Sequence, residues 1–152
     1  MSDNLNPGIG TILAISKNLP ASPFGATEYG AVTGFDVIGE ITEIPEAGLS
    51  HDVVTHVPLA TGITAKYHGA ANAGSVTIPF AYDATDDGQE TAEEVLGTRQ
   101  RCTFKTTLAD GTEIYRQGKV MGFQIGASAG AVVSGNISIE FETVPVMVPA
   151  GS

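Results

Sequence analysis

Cations, cysteine and tryptophan are scarce in this chain. Of its 152 residues, 7 are lysine or arginine, 1 is cysteine and 0 are tryptophan. One thiol, Cys102, permits no intrachain disulfide, so the fold must be held by its core. A chain of this length is expected to form one domain and to bury roughly 70% of the surface its unfolded form exposes. Cys102 lies on the apolar parity of a strand-like run and reads as a buried structural thiol. The missing tryptophan counts against a small ligand-binding β-sandwich such as a carbohydrate-binding module, which would be left with Tyr29, Tyr67, Tyr82 and Tyr115 and no obvious stacking platform. Long apolar runs are missing too. No basic residue precedes Lys17, and Ile12 to Ile15 is too short for a signal peptide or a membrane span. The expectation is a soluble protein made in a cytoplasm, with no membrane partner.

Glycine, threonine and valine are plentiful. The 19 glycines and 8 prolines describe an all-β chain with many turns. The 17 acids give a formal net charge of -10, and the charge is unevenly spread. Residues 1–98 set Lys17 and Lys66 against a large excess of acids, whereas residues 99–119 carry Arg99, Arg101, Lys105, Arg116 and Lys119 against only Asp110 and Glu113. This basic island is either a solvated strand face or a patch that meets acidic groups of another copy and sets register in an assembly. Nucleic acid is a poor partner for it, because the surrounding negative field repels phosphates.

The island coincides with the strongest structural signal, Arg101 to Ile125. Two alternating runs flank Asp110-Gly111, a pair suited to a type I′ hairpin turn with positive φ at both positions. Cys102, Phe104, Thr106 and Leu108 point to one, greasy face; Arg101, Thr103, Lys105 and Thr107 point to the other, wet one. In the second strand Ile114 and Val120 share one parity and Met121, Phe123 and Ile125 the other, so a bulge is expected near Gly118 or Gly122. Elsewhere, residues 1–34 read as an extended N-terminal arm with a single short strand within Ile9 to Ile15. Residues 35–144 read as the β core and 145–152 as a proline-punctuated tail. Phe35 to Ile44 is strand-like with apolar residues on both faces, and 45–74 is a long loop without sustained period, too long to be a passive connection. Ser75 to Tyr82 alternates cleanly, with Pro79 demanding an edge position. One short helix spans about 87–96, capped by Asp87 with Glu90 three residues on and closed by Gly97. Val133 to Thr143 is a last strand, expected antiparallel to the second strand of the hairpin.

Chemical motifs are few. Asp83, Thr85, Asp87, Gly88 and Glu94 fall at calcium-loop spacing, but a strand precedes them where an EF-hand needs a helix, and Glu90 occupies an aliphatic position. Ser50-His51-Asp52 are consecutive, so their side chains diverge and cannot form a relay. His51, His56 and His68 match no usual metal spacing and read as surface histidines on a loop. No phosphate-binding glycine pattern is present. No enzyme, cofactor or metal is expected.

Taken together, GIGTILAIS, VIGEITEIPEAGLSHDVVTHVPLATG, KYHGAANAGSVTIPF, DDGQETAEEVLG, FKTTLADGTEIYRQGKVMGFQIG and SGNISIEFETVP resemble, in order and spacing, the major tail tube protein of lambda-like long-tailed bacteriophages (siphophages). The resemblance spans roughly residues 8 to 145. It implies a mainly β, sandwich or barrel-like tail tube fold with one flanking helix. Six copies would close into a ring, and rings would stack into a virion tail tube that conducts DNA into the host. Loops and arms would bridge subunits and rings. The implied partners are further copies of the chain, a tape measure protein, tail terminator and tail tip or baseplate proteins, and double-stranded DNA passing without specific binding. The protein would reside in the virion, and in the host cytoplasm before assembly. A tube protein of a contractile tail or of a type VI-like secretion system would share the fold. Candidate contact residues are Val53, Val54, Val57, Leu59 and Tyr67 in the long loop and Arg101, Lys105, Arg116 and Lys119 on the hairpin.

Overall fold

A computed structural model of the protein describes residues 8–149. Its elements are β1 (Ile12–Ser16), α1 (Ala26–Gly30), β2 (Asp36–Val37), β3 (Ser50–His56), β4 (Ala65–Asn72), β5 (Ser75–Ala81), α2 (Asp87–Thr98), β6 (Cys102–Thr107), β7 (Glu113–Gly126), β8 (Ser134–Phe141) and β9 (Val146–Val148). The main sheet has the order β2-β1-β6-β7-β8-β5, with β9 beside the first part of β7, while β3 and β4 form a separate hairpin. The chain is mainly β, as composition and turn spacing indicated.

The main sheet curls, and residues 36–42 tie its two ends together. The Ile38 amide donates to the Leu13 carbonyl at 2.9 Å on one side. Shortly after, the Glu40 carbonyl accepts from Ala81 at 2.9 Å and the Thr42 amide donates to the Pro79 carbonyl at 3.2 Å on the other. The expected strand over Phe35 to Ile44 is therefore two short pieces, broken at Gly39 and at Glu40, whose φ is +60°. Its two apolar faces reflect a segment that serves two strands in turn. Pro79 does lie in a terminal strand of the sheet, where its missing amide costs no ladder bond.

Alternation builds the core. Val76, Ile78 and Phe80 of β5, Ile137, Ile139 and Phe141 of β8, Leu13 and Ile15 of β1 and Phe104 of β6 are buried together, with Ala92 and Val95 of α2 laid against them. Residues 12–16 thus sit inside the sheet between β2 and β6, not in a detached arm. The expected wet face of the β6–β7 hairpin is covered as well. Tyr29 of α1 is 1% exposed and stacks on Tyr115 at 5.2 Å between ring centroids. The Gln117 amide donates to the Tyr29 hydroxyl at 3.2 Å, and Thr103 Oγ1 donates to the Asn18 carbonyl at 2.7 Å. Residues 16–35 thus make a second, more polar layer, which the polar parity of β6 had concealed. The tail after 145 also adds a strand, β9, paired to Glu113–Tyr115; residues 1–7 and 150–152 of the expected arm and tail lie outside the described residues.

Three local readings change. The β6–β7 turn has three residues: the Gly111 amide donates to Leu108 at 2.9 Å, the Leu108 amide donates to Thr112 at 2.8 Å, and of the Asp-Gly pair only Gly111 (φ +97°) is in the left-handed region. This is a type I turn closed by a glycine bulge rather than type I′. The helix is longer than 87–96, and Asp86, not Asp87, caps it by accepting from the Gln89 amide at 3.0 Å. Arg99 at φ +60°, not Gly97, takes the left-handed end position. The parity switch in β7 is a bulge, as expected. Its register with β8 shifts between Val120 and Gly122, so Val120 is buried, Met121 is 60% exposed and Phe123 returns to pack on Phe80.

Candidate assembly surface

The segment expected as a loop over 45–74 is largely the β3–β4 hairpin. Its strands pair from Ser50↔Asn72 to His56↔Ala65. β3 is solvent-exposed along its whole length, and β4 nearly so. The hairpin carries large apolar side chains into water: Val53 at 67% exposure, Val54, Val57, Ile63, Tyr67, and Leu59 fully exposed at the tip. A two-stranded ribbon alone is at best marginally stable in water, and large apolar side chains exposed in this number on one projecting element mark a contact site. The five loop candidates thus share one projecting element. Its base is anchored: Ala47 and Ala73 pack on the core, and Gly48 and Gly74 lie so close that a Cβ on Gly74 would be 2.8 Å from the Gly48 oxygen.

The four basic candidates have partners within the chain. Arg101 pairs with Glu142, Lys119 reaches Glu142 at 3.5 Å, and Lys105 reaches Glu113 at 3.8 Å while lying 4.6 Å above the Phe35 ring. Arg116 is half-buried. Its Nη2 donates to the Ala47 carbonyl at 2.9 Å, its guanidinium lies 4.9 Å over Phe141, and burial lowers its pKa. It ties the root of the hairpin to β7. The three ion pairs are partly exposed and each contributes roughly 0–1 kcal/mol; they share two carboxylates, Glu113 and Glu142, and offset part of the island's charge. Arg116 also lines a groove of about 880 Å³ walled by Ile9, Ile41, Ile44, Leu108 and Ile114.

The motifs weighed for chemistry are occupied structurally. Asp83 accepts the Thr85 amide at 3.0 Å and the Thr85 hydroxyl at 2.7 Å, bonds that lower its pKa. Asp86 caps α2. Of the acids in the calcium-like spacing, Asp83 holds a turn and Glu94 pairs with Lys17 at 3.1 Å, and no group of three or more potential metal ligands is found among the described residues. Cys102 is fully buried, and desolvation raises its thiol to about 12, which makes it inert. One arrangement had no signal in the sequence: His51 and His68 are neighbours, their ring centroids 5.1 Å apart.

No family model and no curated protein sequence matches the chain. Solved structures match it in fold. A chain of the anti-feeding prophage baseplate, a cryo-EM structure with six-fold symmetry, superposes with a TM-score of 0.68 over 93% of this chain and 94% of that one, at 12% identity. A chain from the tail of the empty gene transfer agent particle, refined with C6 symmetry, gives 0.66 over 90% and 96%, at 14% identity. A chain of the SPP1 tail tube gives 0.62 over 93% of this chain and 78% of that one, at 10% identity. The curled antiparallel sheet, with α2 packed on it and the β3–β4 hairpin projecting from it, gives this chain the tail tube fold that it shares with subunits of phage-like particles.

Proposed function

We propose that this chain is a tail tube subunit of a phage-like particle, a structural protein whose copies close into six-membered rings that stack into a conduit for DNA. The reading is carried by the match across 90% or more of the chain to chains of a baseplate and of a tail, both solved with six-fold symmetry. Physical features agree with it. The β3–β4 hairpin exposes Val53, Val54, Val57, Leu59 and Tyr67, which a neighbouring copy would bury as apolar anchors. Six copies would carry about -60 in formal charge, and a lumen of that sign limits sticking of phosphates. We place the protein in a long, non-contractile tail, with a tape measure protein setting tube length and terminator and tip proteins closing its ends. Arg101, Lys105 and Lys119, paired with Glu142 and Glu113, and Arg116, bonded to the Ala47 carbonyl, serve the interface through the surfaces they hold in place.

A second reading, the tube subunit of a contractile tail, draws on the match to the anti-feeding prophage baseplate chain, whose TM-score of 0.68 exceeds the 0.62 of the SPP1 tail tube chain. Co-purification with a sheath protein separates the two. The shared reading is tested by negative-stain microscopy of the concentrated protein, alone and with its tail tip proteins as initiator. Stacked rings are expected; a chain that stays monomeric under both conditions overturns the proposal.

A further inference from the structure

We infer that His51 and His68 form a two-histidine half-site for a late first-row divalent cation such as Zn²⁺, created by a bulge in the β3–β4 hairpin. The pairing His51↔Ala71 is followed by Val53↔His68, so two steps along β3 are matched by three along β4. The extra residue lies in the Gly69-Ala70 stretch opposite Asp52. In a regular ladder continuing from His51↔Ala71, His68 would stand opposite Val54 and point to the face away from His51. A one-residue slip moves a strand's side chains to the other face, and here it brings His68 opposite Val53, on the face that also carries His51. Gly69 makes the slip possible, since a Cβ there would lie 2.9 Å from Val54 Cγ2 and 3.0 Å from the Asp52 carbonyl oxygen.

The geometry suits a shared metal. The rings are 5.1 Å apart between centroids and inclined at 79°. With metal–nitrogen bonds of about 2.0–2.1 Å, two imidazoles on one tetrahedral zinc hold their centroids about 5 Å apart. Both histidines are exposed, so the χ rotation that aims one nitrogen of each at a common point meets no packed neighbour. The ligand type selects the cation: imidazole suits zinc, copper and nickel, whereas calcium and magnesium require oxygen donors. Asp52 is the one carboxylate within the hairpin and Lys66 its one permanent cation. His56 pairs with Ala65 at the far end of the ladder and takes no part. Two ligands leave positions open to water in the isolated subunit. A cation bound across both strands would also hold the register of a ribbon that has little else to hold it.

The inference is independent of the tube reading. Its test is calorimetric titration of Zn²⁺ into the dilute full-length chain at neutral pH, for wild type, His51→Ala, His68→Ala and His56→Ala. One site per chain is expected, weakened at least about tenfold by loss of either ligand, since even outer-shell changes cost 10–100-fold in metal affinity, and unchanged by His56→Ala. Amide exchange across residues 50–72 should slow when zinc is added to wild type and not to His51→Ala. Absence of uptake, uptake insensitive to His51→Ala and His68→Ala, or equal loss in His56→Ala overturns it.

Discussion

A methyl group on Gly88 would sit 2.3 Å from the Val37 carbonyl oxygen and 2.5 Å from Ile38 Cα. Both obstacles are backbone, in the segment that closes the sheet, so neither can swing aside. Gly97, in the last turn of the same helix, has nothing within 4 Å of that position and is exposed. Glycine in a helix interior costs roughly 0.5–1 kcal/mol relative to alanine, whereas forcing an extra methyl into a packed site costs about 1–3 kcal/mol. The two substitutions should therefore differ in sign. Gly97→Ala is expected to raise stability by about 0.5 kcal/mol or more, and Gly88→Ala to lower it by at least about 1 kcal/mol. Urea denaturation checks both, and stabilisation by Gly88→Ala would refute the close packing of α2 on residues 37–38.

Among the elements, α2 and the strap over residues 36–42 depend on one carboxylate. Asp86 Oδ2 accepts from the Gln89 amide at 3.0 Å and from the Gly39 amide at 3.1 Å. Gln89, 2% exposed, completes the joint by donating to the carbonyls of Gly39 at 3.1 Å and Ala81 at 3.0 Å. Removing the Asp86 side chain takes away a helix cap, worth about 0.5–2 kcal/mol, and strands a partly buried amide, costing about 1–3 kcal/mol where water cannot replace the bond. Asp86→Ala should destabilise by about 2 kcal/mol or more by urea denaturation. Asp87→Ala, which loses only a favourable charge in the first turn, should cost no more than about 1 kcal/mol. Equal effects would mean that the cap does not join helix to strap.

For the whole molecule, the body and the projecting hairpin separate cleanly. The hairpin buries almost nothing against the main sheet, and its two ends meet at Gly48 and Gly74. Replacing Ser50–Asn72 by a short glycine-serine link should leave the main unfolding transition within about 0.5 kcal/mol of wild type, as for changes away from packed features. Under the proposed function, the same variant should fail to form tubes under conditions where wild type forms them. Tubes of normal length from it would remove the hairpin from the assembly surface. Loss of the main transition would show that the hairpin supports the fold of the subunit itself.

Periodicity alone was enough to read Ser75 to Tyr82, Val133 to Thr143 and the β6–β7 hairpin, because each buries alternate residues on one core and repeats its signal every second position. The β7 bulge was legible for the same reason: Val120 and Phe123 both had to be inside. The tail tube resemblance rested on the order of these elements, and the fold bears it out. Tertiary structure decided whatever depends on partners distant in sequence. Phe35 to Ile44 looked like one strand because its neighbours at Leu13 and Phe80 could not be seen. Residues 16–35 looked like an arm because Tyr29 is buried only against the polar parity of β7, where Tyr115 and Gln117 meet it. The 45–74 segment lacked a period because an exposed ribbon has no core to impose one. His51 and His68 meet only because a bulge turns one strand over. The chain's own alternation determined its sheet; the closing of that sheet, and what projects from it, required contacts that no local pattern encodes.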